Sequence, residues 1–294
     1  MPPTRKKIGK EKAASTYRGL VADYKNLQLF LKEKRRIEDI AIAELDKKFI
    51  EDYYNWMLGT CALASSTAFG RVNTLKWLMY TAQERGWIRL HPFIGFDCLP
   101  EYKRRSFLTE EDLQSVIHVK LNYKRQRAIR DMFLFMCFTG LAYADLKEIT
   151  YKNIHTDSEG GTWLMGNRIK TGVAYVVKLL PIAIELVERY RGDNEKKSSP
   201  DKVFPVGEYQ TMVSSLRVLT RKCGCSTEIT PHIGRHTFAV LAILKGMPLE
   251  TLQKVLGHKS ILSTQIYAEL INPKVGEDTD RLCMKIGDTY RLAN

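Results

Sequence analysis

Residues 231–270 read PHIGRHTFAVLAILKGMPLETLQKVLGHKSILSTQIYAEL. The segments HTFAVLAILKG and PLETLQKVLG each carry apolar residues at helical spacing and close on a glycine, Gly246 and Gly257, which predicts two consecutive helices. Phe238, Leu241, Leu244, Leu249, Leu252 and Leu256 are expected in the core rather than in a site. Around them stand His232 and Arg235, then His258 just past the second glycine, then Tyr267 nine residues later. These groups suit attack on a phosphodiester. A tyrosine phenol, with a pKa near 10, is a weak nucleophile at neutral pH. It needs a nearby base, and cations that stabilise charge growing on the phosphate. Arginine's planar, always protonated fork fits the non-bridging oxygens. Histidine can take or give a proton near pH 7.

The rest of the chain is consistent with a polyanion partner. It has 294 residues, 46 Lys+Arg against 33 Asp+Glu, and a formal net charge of +13. Residues 1–106 hold 20 basic and 12 acidic residues, net +8, so the excess is concentrated in the first third. Nucleic acid or an anionic membrane surface would suit such a charge. No strictly apolar run exceeds the seven residues of Met132 to Phe138, and the start MPPTRKKIGKEK has no apolar stretch of the signal-peptide kind. Aromatic and acidic residues surround the early helices, as at Glu51, Asp52, Tyr53 and Tyr54, which disfavours membrane-surface binding through one cationic face. The six cysteines are scattered without a C-x-x-C pair, and Cys223-Gly-Cys225 reads as ordinary thiols. A soluble cytoplasmic protein is expected.

Outward from the quoted stretch, the organisation is mainly α with a small antiparallel β-meander. A basic tail covers 1–13. A helical region at 14–98 holds helices over Thr16–Lys34, over KKFIEDYYNWML with Asp46 as cap and Gly59 as stop, and over TAFGRVNTLKWLMYTAQERG, preceded by Ser65 and Ser66 and ended by Gly86. Arg71 and Lys76, within the last of these, are candidate DNA contacts. A linker at 99–107 carries Lys103, Arg104 and Arg105 beside Pro100, and also reads as a backbone contact with DNA. The remaining domain, 108–294, starts at Thr109 as N-cap with acids behind it. After Lys147, ITYKNIHTD, TWLMGNRIKT and VAYVVKLL are rich in β-branched and aromatic residues, separated by Ser158–Gly161 and Thr171-Gly172. They predict a three-stranded meander. A helix starts at Pro181 and should stop at Gly192.

Several motifs together carry a resemblance. H-x-x-R-H, then LGH, then a tyrosine nine residues on resembles the C-terminal signature of the tyrosine recombinases, the phage integrase family. TGLAYADLKEIT resembles that family's first box, NRIKTG its catalytic-lysine hairpin, and LKWLMYTAQERGWIRLHPF the end of its helical core-binding domain. The likeness runs from about residue 14 to 270 with four motifs in order, and FTGLAYADL is most similar to integrases of conjugative transposons. It implies a SAM-like core-binding domain followed by a tyrosine-recombinase catalytic domain. It implies Tyr267 as the nucleophile of a 3′-phosphotyrosyl bond, Arg235 on the scissile phosphate, His232 in proton transfer, His258 donating to the phosphate and Lys170 protonating the leaving 5′-oxygen. No ATP and no metal are implied. The partner would be double-stranded DNA clamped between the two domains, with a homotetramer on DNA, accessory DNA-bending proteins, and a bacterial, nucleoid-associated location. The tail at Thr279–Tyr290 would pack on its own protomer or on a neighbour.

One position departs from the pattern. Where the family has its first arginine after Thr-Gly-Leu, this chain has Ala142. Alanine cannot neutralise a phosphate, and losing such a donor costs about 10²–10³ in rate. Arg168, two residues before Lys170 on an expected strand and so on the same face, is the preferred replacement, with Arg127 and Arg130 as alternatives.

Two other readings stand beside this one. The segment from His236 to Ser260 can pass for a helix-turn-helix, so Ala142 is also compatible with a catalytically weakened or inactive DNA-binding remnant. A metal site from His232, His236 and His258 is disfavoured, because HIGRH lacks the glutamate of H-E-x-x-H zinc proteases.

Overall fold

The computed structural model describes residues 14–98, 106–191 and 201–269. The basic tail, Lys103, Arg104, Arg105, the stop at Gly192 and the segment Thr279–Tyr290 lie outside the described residues. Contacts divide the chain into two compact units, Met1–Lys103 and Arg104–Asn294.

The first unit is helical. Helix α1 (Ala14–Phe30) runs into a single wide turn at Leu31–Arg35 that Arg36 ends in the left-handed conformation, φ 56°. Helix α2 (Lys47–Gly59) starts where expected, with the Asp46 carboxylate accepting from Phe49 N–H at 2.7 Å. Helix α3 (Ser65–Glu84) differs at its start: Ala64 is the N-cap, and Ser65 and Ser66 lie inside the first turn. Phe49, Ile50, Tyr53, Trp56 and Met57 of α2 meet Ala68, Val72, Leu75 and Met79 of α3 at spacings of three and four, closing a core with Phe30. Phe30 packs edge-on against Phe49 with ring centres 5.4 Å apart.

The second unit is built on α5 (Lys124–Thr139). Residues 131–137 of this helix are all buried, so it is a central helix rather than a surface one. Around it pack α4 (Glu110–His118), α6 (Tyr143–Glu148), α7 (Pro181–Arg191), α8 (Tyr209–Cys223) and α9 (Pro231–Leu244). Thr109 caps α4 as expected, its hydroxyl accepting from Asp112 N–H at 3.1 Å. Helix α9 is capped by Thr230 with Pro231 in its first turn, and is followed by α10 (Leu249–Leu256) and α11 (Leu262–Ala268). The meander has strands β1 (Ile154–Thr156), β2 (Thr162–Asn167) and β3 (Ala174–Lys178), antiparallel in the order β1-β2-β3.

Several details correct the sequence reading. The first strand is shorter than ITYKNIHTD, because Thr150 and Asn153 form a capping box around a tight helical turn at 151–153. Helices α6, α8 and α11 were not expected. Leu244 is exposed at the end of α9, whereas Phe238, Leu252 and Leu256 are buried. Strand β2 ends at Asn167, so Arg168 and Lys170 lie in the turn beyond it. The strand-alternation argument for their common face therefore does not apply.

Glycine is required where α5 ends. Gly140 has φ +70°, and a Cβ there would lie 2.6 Å from Phe238 Cδ1 and 2.7 Å from Leu256 Cδ2. That close approach brings the ends of α5 and α10 together over α9. Among the described residues, no helix is long and apolar enough to cross a membrane.

Candidate active site

The site forms where α5 and α10 end against α9. Arg235, on α9 and 4% exposed, donates to Gly140 O at 2.5 Å and to Leu256 O at 2.8 Å. Its guanidinium thereby satisfies carbonyls at both helix ends, which their own helices leave unpaired. Burial is the main cause that lowers its pKa to about 10, and the like charge of Arg168 adds to it. Tyr267, Asp145 and a hydrogen bond to Tyr267 oppose the shift.

Arg168 reaches this place from the β2–β3 turn. Its guanidinium pairs with the buried carboxylate of Asp145 on α6. The other Asp145 oxygen accepts from Ile169 N–H at 2.9 Å, so one acid fixes both the arginine and the turn. Gly257, with φ +61°, forms the floor: a Cβ there would meet Arg168 Cγ at 2.8 Å and Cδ at 3.0 Å. Lys170 is exposed on the turn that Asp145 anchors, at the rim rather than inside the cluster.

Tyr267 lies on α11 and is 2% exposed. Its Oη is 2.9 Å from Nδ1 of His236, a buried residue of α9. His258 follows Gly257 directly, and its Nδ1 is 2.8 Å from Thr264 Oγ1, which fixes the ring orientation. That ring is nearly parallel to Tyr267, at 7° and 6.4 Å between centres. His232, exposed in the first turn of α9, lies edge-on to His236 at 4.6 Å.

The structure thus brings Arg235, Arg168, His258 and Tyr267 together, with His232 beside them through His236. The alternatives to Arg168 are committed elsewhere. Arg127 donates to Leu121 O and Asn122 O, and Arg130 to Asp131 and Val119 O. Arg130 is also ten residues before Gly140, or about 15 Å of helix. In the first unit, Arg71 is half-buried 3.8 Å from Asp23, and Lys76 is half-buried too. The sequence reading gave no role to Asp145 or Thr264, and weighed His236 only as a disfavoured metal ligand. Of the first two, Asp145 alone carried a local signal, an acid in the first turn of the helix after the TGL box.

Comparison with known proteins agrees. Residues 106–272 match the model of the phage integrase family, and residues 4–98 that of the phage integrase SAM-like domain. Tyrosine recombinase XerA of Saccharolobus solfataricus is 31% identical over 175 residues, covering 59% of this chain and 56% of that protein. The chain therefore spans little more than half the length of that relative. A tyrosine recombinase of Pseudothermotoga lettingae is 23% identical over 270 residues, 89% of this chain and 90% of that protein. Among solved structures, a Tn1549 transposon integrase in complex with transposon right end DNA superposes with a TM-score of 0.70 at 18% identity, over 94% of this chain and 96% of that one. XerH site-specific recombinase in a post-cleavage complex with a palindromic difH substrate gives a TM-score of 0.73 at 16% identity, over 90% and 79%.

The fold is that of the DNA strand-exchange enzymes that use a tyrosine nucleophile. With the catalytic-domain model matching more than half of its length, the chain belongs to the phage integrase family, the tyrosine recombinases.

Proposed function

We propose that this chain is a site-specific recombinase that cleaves and rejoins double-stranded DNA through a 3′-phosphotyrosyl intermediate, integrating or excising a mobile element. Tyr267 Oη attacks the scissile phosphorus, and the bond from phosphorus to the 5′-oxygen breaks. Arg235 and His258 donate to the non-bridging oxygens as charge grows there. Arg168 supplies the second guanidinium that Ala142 cannot. Lys170 protonates the leaving 5′-oxygen, and His232 takes part in proton transfer. The bond energy is kept in the phosphotyrosyl ester, so the scheme needs neither ATP nor metal.

Residues 14–98 serve as a core-binding domain, 99–107 as a linker and 108–294 as the catalytic domain. Arg71, Lys76, Lys103, Arg104 and Arg105 contact the DNA backbone, so binding weakens steeply with salt. Strand exchange between two duplexes calls for a homotetramer, aided by DNA-bending proteins, in the bacterial cytoplasm on the nucleoid.

The observation that carries this reading is the convergence of Arg235, Arg168, His258 and Tyr267 on one point from four separate places in the chain. The test is a nicked suicide duplex carrying candidate sites from the flanks of the gene, incubated with chelator and without ATP. A covalent adduct that resists denaturation and is lost in Tyr267→Phe is expected. Tight binding without adduct would favour a DNA-binding module instead.

A further inference from the structure

The scheme above leaves His236 without a task, although it is the side chain whose ring nitrogen lies 2.9 Å from the attacking oxygen. We infer that His236 receives the phenolic proton of Tyr267 as the phosphotyrosyl bond forms, and returns it when the strand is resealed. This inference rests on the recombinase reading. In cleavage, Tyr267 Oη bonds to phosphorus, its proton passes to His236 Nδ1, and the P–O5′ bond breaks with Lys170 protonating the leaving oxygen. In resealing, the 5′-hydroxyl attacks phosphorus and gives its proton back to Lys170, the Tyr267 ester bond breaks, and the His236 imidazolium protonates Oη.

Geometry comes first. Both partners are buried, His236 5% and Tyr267 2% exposed, so packing rather than solvent sets their contact. His236 follows Arg235 directly on α9, and the same helix holds the phosphate-binding cation and the proton acceptor in fixed relation. The chemistry agrees. A free phenol at pKa near 10 does not ionise at pH 7, whereas an imidazole near 6.5 is poised to accept a proton in the transition state. Among the described residues, the charged and titratable groups around the pair include Arg235 and His232 on α9, Arg168 in the β2–β3 turn, His258 after α10 and Asp145 on α6.

Two measurements on the full chain test the inference. The first uses 15N-histidine NMR without DNA. His236, assigned by its loss in His236→Asn, should show an unprotonated, hydrogen-bonded Nδ1 that shifts in Tyr267→Phe. An Nδ1 that carries the ring proton overturns the proposal.

The second follows single-turnover adduct formation on the nicked duplex against pH. Relative to wild type, His236→Asn should lose about 10²–10⁴-fold near pH 7. Affinity for the duplex should be unchanged, and the deficit should shrink as pH rises and hydroxide replaces the imidazole. A 5′-bridging phosphorothioate, whose leaving sulfur needs no acid, should rescue Lys170→Ala but not His236→Asn. A pH-independent loss, a wild-type profile, or rescue of His236→Asn by the sulfur substrate each overturns it. Wild type that forms no adduct while its NMR signature is as expected would instead sink the recombinase reading, and the proton-transfer step with it.

Discussion

The guanidinium of Arg168 is paired with the carboxylate of Asp145, and lies near enough to Arg235 to lower the pKa of that second arginine. Two cations thus share one buried place, one arriving from a hairpin turn and one from α9. The acid between them offsets part of their repulsion, and a phosphate would offset more. Under the proposed function, this is how Arg168 would supply the cation that Ala142 lacks.

Arg168→Ala should therefore lower adduct formation by about 10²–10³-fold, and Arg168→Lys by less, since it keeps the charge but loses the fork. Ala142 is the N-cap of α6, three residues before Asp145. If an arginine there supplies the missing guanidinium, the double variant Ala142→Arg, Arg168→Ala should recover at least about tenfold over Arg168→Ala. Unimpaired cleavage by Arg168→Ala would show that Arg168 has no catalytic part.

Gly257→Ala should damage the site through the same arginine. The residue has φ +61°, where a side chain costs about 1–2 kcal/mol, and its Cβ would press on Arg168 Cγ at 2.8 Å. A lowered urea midpoint is expected together with at least about a tenfold loss of adduct. Gly224→Ala supplies the control: it shares a positive φ of 65° at a helix end but has open space around it. It should lose stability and keep its adduct rate.

These relationships also show what a sequence can and cannot disclose. Asp46, Thr109 and Pro181 act on neighbours within a few residues, so the helix starts they mark were legible as caps. Helix α8 escaped although Met212, Leu216 and Leu219 have helical spacing, because Glu208 at its start makes no side-chain cap. The contact of Arg168 with Asp145 joins residues 23 apart, and that of Arg235 with Gly140 joins residues 95 apart. No local rule predicts such pairs. Strand alternation points to Arg168, yet the residue reaches the site from a turn. The candidate was legible in the sequence, while the route was set by packing under Gly257.

Alkaline pH should unfold the second unit partly through Tyr175. Burial, and secondarily the Asp145 charge, raise this phenol to about 12, against 10 for an unhindered tyrosine. Below pH 10 the group is protonated in both states and contributes no slope. Between 10 and 12 the unfolded chain loses the proton first, so stability falls by about 1.4 kcal/mol per pH unit from this residue. Urea denaturation at several alkaline pH values should show a shallower decline in Tyr175→Phe. An identical slope would mean that the phenol ionises equally in both states.

Asp131 allows stability to be separated from chemistry. Its carboxylate, 2% exposed on α5, accepts from Arg130 Nε at 3.0 Å, from Arg189 at 3.0 Å and from the Tyr190 hydroxyl at 3.1 Å. Asp131→Ala leaves these donors facing a buried gap, and a loss of about 3–5 kcal/mol is expected. Asp131 is nine residues before Gly140, about 13 Å along the helix from the site. The urea midpoint should therefore fall with little change in slope, while adduct formation below the melting range stays within about threefold of wild type. A large loss of adduct in a folded Asp131→Ala protein would mean that α5 transmits the state of this hub to the carbonyl of Gly140, and through it to Arg235.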